Sequence, residues 1–221
     1  MEERVHKIAL LADGDEPKRI LALGAHSDDI EIGCGGTILR LACERTSLEV
    51  LWVVFAATPE RAAEARESAS AFLEGVPTAK VVVRPYRDGF LPYLGAAVKD
   101  DFEALKTEFS PDLIFTHYRD DRHQDHRLIS ELTWNTWRDH FILEYEIPKY
   151  DGDFGSPNLF ASLPTSTLDR KIGLLLRHFP SQAAKPWFTA DLFRAVARIR
   201  GMECTAPEGF AEGFYGRKAR F

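Results

Sequence analysis

Over the first 140 or so residues, apolar runs alternate with polar, periodic segments in a strand-then-helix rhythm. Ile20–Gly24 (ILALG) is a short continuous apolar run and reads as a buried strand. Gly33–Glu44 places Ile38, Leu39 and Leu41–Ala42 on one face and reads as a helix. Leu48–Ala57 (LEVLWVVFAA), rich in β-branched and aromatic residues, is the clearest strand. Thr58-Pro59 supplies an N-cap and a first-position proline for a helix running to about Glu74. Lys80–Val83 predicts a third strand, Gly95–Phe109 a helix, and Leu113–Thr116 a fourth strand after Pro111-Asp112. A helix is expected from about Asp125 to His140. Beyond it, Leu143–Ile147 and Asn158–Ala161 suit strands, and Thr167–His178 and Ala190–Ile199 suit helices.

This alternation predicts an α/β fold, a Rossmann-like three-layer α/β/α arrangement with a mostly parallel sheet. With strand order 3-2-1-4, the first and fourth strands become neighbours. Ligands in open sheets of this kind bind beyond the carboxyl ends of such a pair. No internal repeat, low-complexity tract or long linker divides the sequence, so residues 1–221 are expected to form one domain.

Composition narrows the partners. A formal net charge of -6 and a pI near 5.7 offer no electrostatic footprint for nucleic acid or anionic lipid. No apolar run reaches the roughly 18–20 residues needed for a membrane span. The opening MEERVHKIALLADGDEPKR lacks the apolar core and cleavage site of a signal peptide. Cys34, Cys43 and Cys204 are an odd set without CxxC spacing, which suits reduced thiols and a cytoplasmic protein. Trp134, Trp137 and Trp187, with the Phe-rich tail, suit either a core or a homo-oligomer interface.

Two polar clusters follow the first and fourth predicted strands. The first is Ala25-His26-Ser27-Asp28-Asp29-Ile30-Glu31, leading into Gly33, Gly35 and Gly36. The second runs His117-Tyr118-Arg119-Asp120-Asp121-Arg122-His123-Gln124-Asp125-His126. Together they hold four of the seven histidines, among aspartates that repel one another unless a cation or proton intervenes. His26 and Asp29 share one face of a helical turn, Asp28 is rotated away, and His123 and His126 repeat the three-residue spacing. Two imidazoles and a carboxylate fill three positions of a tetrahedral zinc and leave the fourth for water. A nearby carboxylate then takes a proton while an imidazolium gives one to a leaving nitrogen.

AHSDDIEIGCGG resembles the AHPDDE motif, and DDRHQDHR the HPDH motif, of the PIG-L/LmbE-like N-deacetylases. RIRG at Arg198–Gly201 and FAEGF at Phe210–Phe214 are similar to that family's tail. The resemblance implies zinc held by His26, Asp29 and His126. It implies Asp28 as general base, His123 as acid and oxyanion stabiliser, and Asp125 orienting His123. It also implies substrate contacts at Arg66 in ATPERAAEARE and at Asp88 in YRDGF. His178 in RHFPSQ is a further pocket candidate by the same resemblance. The family departures are Ser27 for Pro, Ile30 for Glu and Gln124 for Pro, none at an implied ligand.

Several residues carry two readings. The glycines at 33, 35 and 36 suit a phosphate cradle at a helix N-terminus, or a loop that approaches the helix and metal closely, and the second is preferred. His117 suits the pocket wall or a hydrogen-bonded strand end. Glu144-Tyr145-Glu146 and Tyr150-Asp151-Gly152-Asp153 suit sugar hydroxyls or a surface loop, with Glu144 taken as a substrate contact. The function expected is removal of an acetyl group from the amide nitrogen of an N-acetylated amino sugar such as an N-acetylglucosamine conjugate. A non-haem iron oxygenase shares the two-His-one-carboxylate set, and an inactive sugar-binding module is the third possibility.

Overall fold

The computed structural model describes residues 18–45 and 47–219. The stretch read above for a signal peptide lies almost wholly outside them. The elements are β1 (Lys18–Gly24), α1 (Asp29–Glu44), β2 (Leu48–Ala56), α2 (Pro59–Phe72), β3 (Thr78–Tyr86), α3 (Gly95–Glu108) and β4 (Leu113–His117). They continue with α4 (Gln124–Thr136), β5 (Phe141–Tyr145), β6 (Leu159–Ser162), α5 (Thr165–His178), α6 (Ala190–Glu203) and β7 (Ala211–Gly216). The sheet order is β3-β2-β1-β4-β5-β7-β6. Strands β1 to β5 pair in parallel, and β7 runs antiparallel between β5 and β6. This is the expected α/β/α fold with its mostly parallel sheet.

Both faces of the sheet are covered, which explains why β1 and β2 read as unbroken apolar runs. Ile20, Ala22, Val50, Trp52 and Val54 face α1, α2 and α5 in one core. Leu21, Leu23, Val53 and Phe55 face α3 and α4 in the other. At the edge, β3 is half-exposed along most of its length and longer than its apolar centre predicted. Thr58 caps α2 by accepting from the Arg61 N–H, with Pro59 in the first turn, as expected. Trp137 is buried, Trp134 and Trp187 pack against the two cores, and so all three are used within the chain.

Two expectations change. α1 begins at Asp29, four residues before the expected start at Gly33, so the glycines lie within the helix and neither at its N-terminus nor in a loop leading to it. They admit close neighbours: a Cβ at Gly33 would stand 2.1 Å from the Tyr145 ring, and one at Gly35 2.6 Å from Phe72. Tyr145 in turn donates to the Leu23 carbonyl at 2.6 Å, at the end of β1. Gly33→Ala is therefore expected to cost about 1–3 kcal/mol of stability through overpacking. Urea denaturation measures this, and an unchanged midpoint would mean that the ring moves freely. The second change is β7, a strand that the sequence reading did not anticipate.

Candidate active site

The register of β1 with β4 (Ile20 opposite Leu113, Ala22 opposite Phe115) brings their carboxyl ends side by side. His26 and Asp28 lie in the short turn after β1, and Asp29 opens α1. His117 ends β4, and His126 sits in the first turn of α4. The two polar clusters thereby meet.

The three implied ligands converge. His26 Nδ1 lies 3.2 Å from His126 Nε2 and 3.4 Å from Asp29 Oδ2, and His126 Nε2 lies 3.5 Å from the same oxygen. A tetrahedral ion with bonds of about 2.0–2.1 Å needs ligand atoms roughly 3.3–3.4 Å apart. The triangle fits. Asp121 Oδ2 accepts from His126 Nδ1 at 3.0 Å, which fixes the tautomer that leaves the Nε2 lone pair facing the other two atoms.

Three other triads of ligand atoms occur nearby, Asp29–His117–His126, His26–Asp88–Asp125 and the all-imidazole His26–His123–His126. In the first, His117 Nε2 already accepts the Ala25 N–H at 2.9 Å, so its lone pair is spent. In the second, Asp125 accepts from the N–H groups of Gly89 and Leu91. The triangle of His26, Asp29 and His126 can present a lone pair on each of its three atoms, with Asp29 Oδ2 also accepting the His26 backbone N–H at 2.7 Å.

Charge balance within the cluster is consistent with a cation's place. Burial would raise the Asp29 pKa, but His126, His117 and His26 outweigh it and hold the carboxyl well below its ordinary range. Burial opposes a proton on His26, yet Asp29, Asp125 and Asp88 keep its pKa well above normal. Burial and the neighbouring His117 push His126 down to about 3. Asp28 is raised by burial, which the adjacent Arg61 only partly offsets.

The remaining predicted residues divide. Asp28 is buried at the N-cap position, makes no capping bond, and instead accepts from Arg61 Nη2 at 2.7 Å through Oδ1. His123 is half-buried, edge-on to His26 with ring centroids 4.8 Å apart. Asp88 projects from the loop after β3, its Oδ1 3.0 Å from His26 Nε2 and its side chain 74% exposed. His117 is fully buried and stacked on His126, beneath the cluster and not on a pocket wall. Ser27 and Ile30 are both buried. Ile30 joins the core, and the Ser27 hydroxyl has no partner among the described residues.

Three expected roles are displaced. Asp125 does not reach the His123 ring with its carboxylate; only its backbone N–H donates to His123 Nδ1. Its carboxylate holds His26 Nε2 at 3.1 Å and the loop at Gly89 and Leu91 instead. Arg66 lies on the exposed face of α2 and donates to the Ala62 carbonyl. Arg61, one helical turn nearer the strand ends, is the arginine at the cluster. Glu144 is fully buried and bonded to the Arg119 N–H, Trp134 Nε1 and Arg217, so it has no oxygen free for a ligand. Glu146 is likewise committed to Arg200 and Tyr215. His178 ends α5 half-buried, next to Phe179, whose ring lies under the Arg61 guanidinium.

Comparison with known proteins agrees with the geometry. The PIG-L family, described as GlcNAc-PI de-N-acetylase, matches residues 21–137, which is more than half of the chain. The uncharacterized deacetylase YaiS of Escherichia coli K12 is 27% identical over 186 residues, covering 80% of this chain and 98% of that protein. The N,N'-diacetylchitobiose deacetylase of Pyrococcus horikoshii superposes with a TM-score of 0.70 at 24% identity, over 90% of this chain and 84% of that one. The 4-carboxy-2-hydroxymuconate hydratase GalB of Pseudomonas putida KT2440 gives 0.71 at 18% identity, over 92% and 98%. These two solved structures share the fold. With both motifs brought to one strand-end site and the family match spanning β1 to α4, the chain belongs to the PIG-L (GlcNAc-PI de-N-acetylase) family of deacetylases.

Proposed function

We propose that the protein is a zinc-dependent hydrolase that removes the acetyl group from the amide nitrogen of an N-acetylated amino sugar or its conjugate. The observation that carries this reading is the 3.2–3.5 Å triangle of two imidazole nitrogens and one carboxylate oxygen, with Asp28 beside it. Three lone pairs gathered so closely suit a cation, and this donor set suits zinc. His26, Asp29 and His126 would hold the zinc, which would supply Lewis acidity for the amide carbonyl and lower the pKa of a water to about 7. An iron oxygenase can use the same donor set, and the buried Asp28 carboxylate beside the triangle, suited to take a proton from water, favours hydrolysis.

Asp28 takes the proton of the attacking water. Arg61 engages only Oδ1, which leaves Oδ2 for that proton, and burial makes the carboxylate more basic than one in water. Burial and the neighbouring His26 lower the His123 pKa, so its ring is suited to pass a proton readily to the departing nitrogen, and the proton taken by Asp28 makes good that loss. The water's hydroxyl ends on the acetyl carbon and a proton on the amine, giving acetate and a free amine. Asp88, exposed beside His26, suits acceptance of sugar hydroxyls. The three cysteines, unpaired among the described residues, suit a reducing cytoplasmic setting, and no described helix is long and apolar enough to cross a membrane.

The test is acetate release from a panel of N-acetyl-sugar conjugates by zinc-loaded protein, with a chelated control. Release that persists after complete zinc removal, or activity that needs iron and oxygen, would overturn the reading.

A further inference from the structure

The His126 imidazole does not have Asp121 to itself. Lys149 Nζ lies 2.7 Å from the same Asp121 Oδ2 that accepts from His126 Nδ1. The ammonium also bonds to the Ile147 carbonyl at 3.2 Å and to Asp153, whose carboxylate oxygens are 2.8 and 2.6 Å away. Its three N–H donors are thus all used. Asp153 accepts in turn from the Arg122 N–H at 2.7 Å. The side chains of Lys149, Asp121 and Asp153 are 13%, 2% and 5% exposed, so solvent screens this chain of charges poorly.

We propose that Lys149 is a positioning residue that lowers the affinity of the site for its cation by drawing Asp121 away from His126, and that Asp153 limits this effect by sharing the ammonium. A carboxylate bonded to the far nitrogen of a ligating imidazole makes that imidazole a stronger donor. An ammonium on the same carboxylate oxygen withdraws part of that charge and adds a positive charge near the cation. Asp153 neutralises the ammonium and competes with Asp121 for it. The three residues therefore set how readily the metal is released. The same lysine ties the segment carrying Tyr150, 80% exposed, and Phe154, 43% exposed, to the residue behind His126.

This inference rests on His126 being a metal ligand, as proposed above. It makes opposite predictions for two neighbouring substitutions. Lys149→Met is expected to tighten zinc binding about tenfold, and Asp153→Asn to weaken it about tenfold, at the lower end of the 10–100-fold span of outer-shell changes. Asn retains an acceptor for the Arg122 N–H, so the loop keeps that bond. Competition against a chromophoric chelator reads the affinities without any assay of turnover, and thermal melting of the metal-free proteins reads the structural cost separately. A lysine that merely pins the loop predicts loss of affinity in both variants or no change in either, and both outcomes overturn the proposal. Should Lys149→Met fail to fold, Lys149→Gln, which keeps N–H donors for Asp121 and the Ile147 carbonyl but carries no charge, decides in its place: tighter binding supports the proposal, and unchanged or weaker binding overturns it. Wild-type protein that binds no zinc would instead refute the metal assignment itself.

Discussion

Asp28→Asn is expected to lower the rate of amide hydrolysis by about 10²–10⁴-fold while the protein stays folded and zinc-loaded. The side chain spans no ligand position, since the converging oxygen belongs to Asp29. Asn also still offers an oxygen to Arg61 Nη2, which bonds Asp28 at 2.7 Å, so the turn before α1 keeps its anchor. What the amide lacks is a basic oxygen for the water's proton. The assay pairs kcat from acetate release with zinc content from elemental analysis. Near-normal kcat in fully loaded protein would remove Asp28 from the role of base. Asp29→Asn provides the contrast, with weakened zinc retention as the primary loss.

The second large effect lies just inside the same helix. Glu31 is fully buried, neither carboxyl oxygen has a hydrogen-bond partner among the described residues, and burial lifts its pKa from 4.5 to about 8. Below pH 4.5 the group is protonated in the folded and unfolded chain alike. Between pH 4.5 and 8 the unfolded chain releases the proton and the folded one keeps it, so stability falls as pH rises. At about 1.4 kcal/mol per pH unit, the loss reaches about 3 kcal/mol by pH 7 and levels off above pH 8. Glu31→Gln removes that slope. Denaturation of chelator-treated wild type and variant from pH 4 to 9 should give curves that diverge with rising pH. Parallel curves would mean that Glu31 is ionised inside the fold, with the nearby Ser68 hydroxyl and the Glu31 backbone N–H outweighing burial.

The strand ends that form the site were legible because buried parallel strands are continuous apolar runs, as in ILALG and LEVLWVVFAA. The polar residues immediately after them had nowhere else to go. The start of α1 was not legible. Asp28, Asp29 and Glu31 ahead of the glycines look like a loop, and only the tertiary structure shows the helix starting at Asp29 with Gly33 and Gly35 admitting Tyr145 and Phe72 against it. Arg61 was missed in favour of Arg66, although its place in the first turn of α2, beside the strand ends, was available as a signal. Asp121 had a signal too, as a carboxylate in the same loop as a prospective ligand. Glu144 and Glu146 misled because an acidic, aromatic stretch cannot disclose that Arg217 and Arg200, far along the chain, neutralise both. β7 escaped because Glu212 and two glycines break its apolar pattern.

That glutamate has a consequence for how the molecule is made. Glu212 accepts from the N–H groups of Gly36 and Thr37 at 2.8 and 2.7 Å. Lys171, paired with it at 2.6 Å, donates to the carbonyl of Ile32, the acceptor that Gly36 has in a regular helix. The middle of α1 is thus completed by residues more than 130 positions downstream. A growing chain on the ribosome can assemble β1 to β5 while this helix and the open edge of β5 still await residues 211–216. During that interval the nascent protein presents an unpaired strand, the form most prone to aggregation and most in need of a chaperone. Maturation of α1 is therefore tied to late translation, and slow synthesis of the segment after α6 should lengthen the vulnerable period.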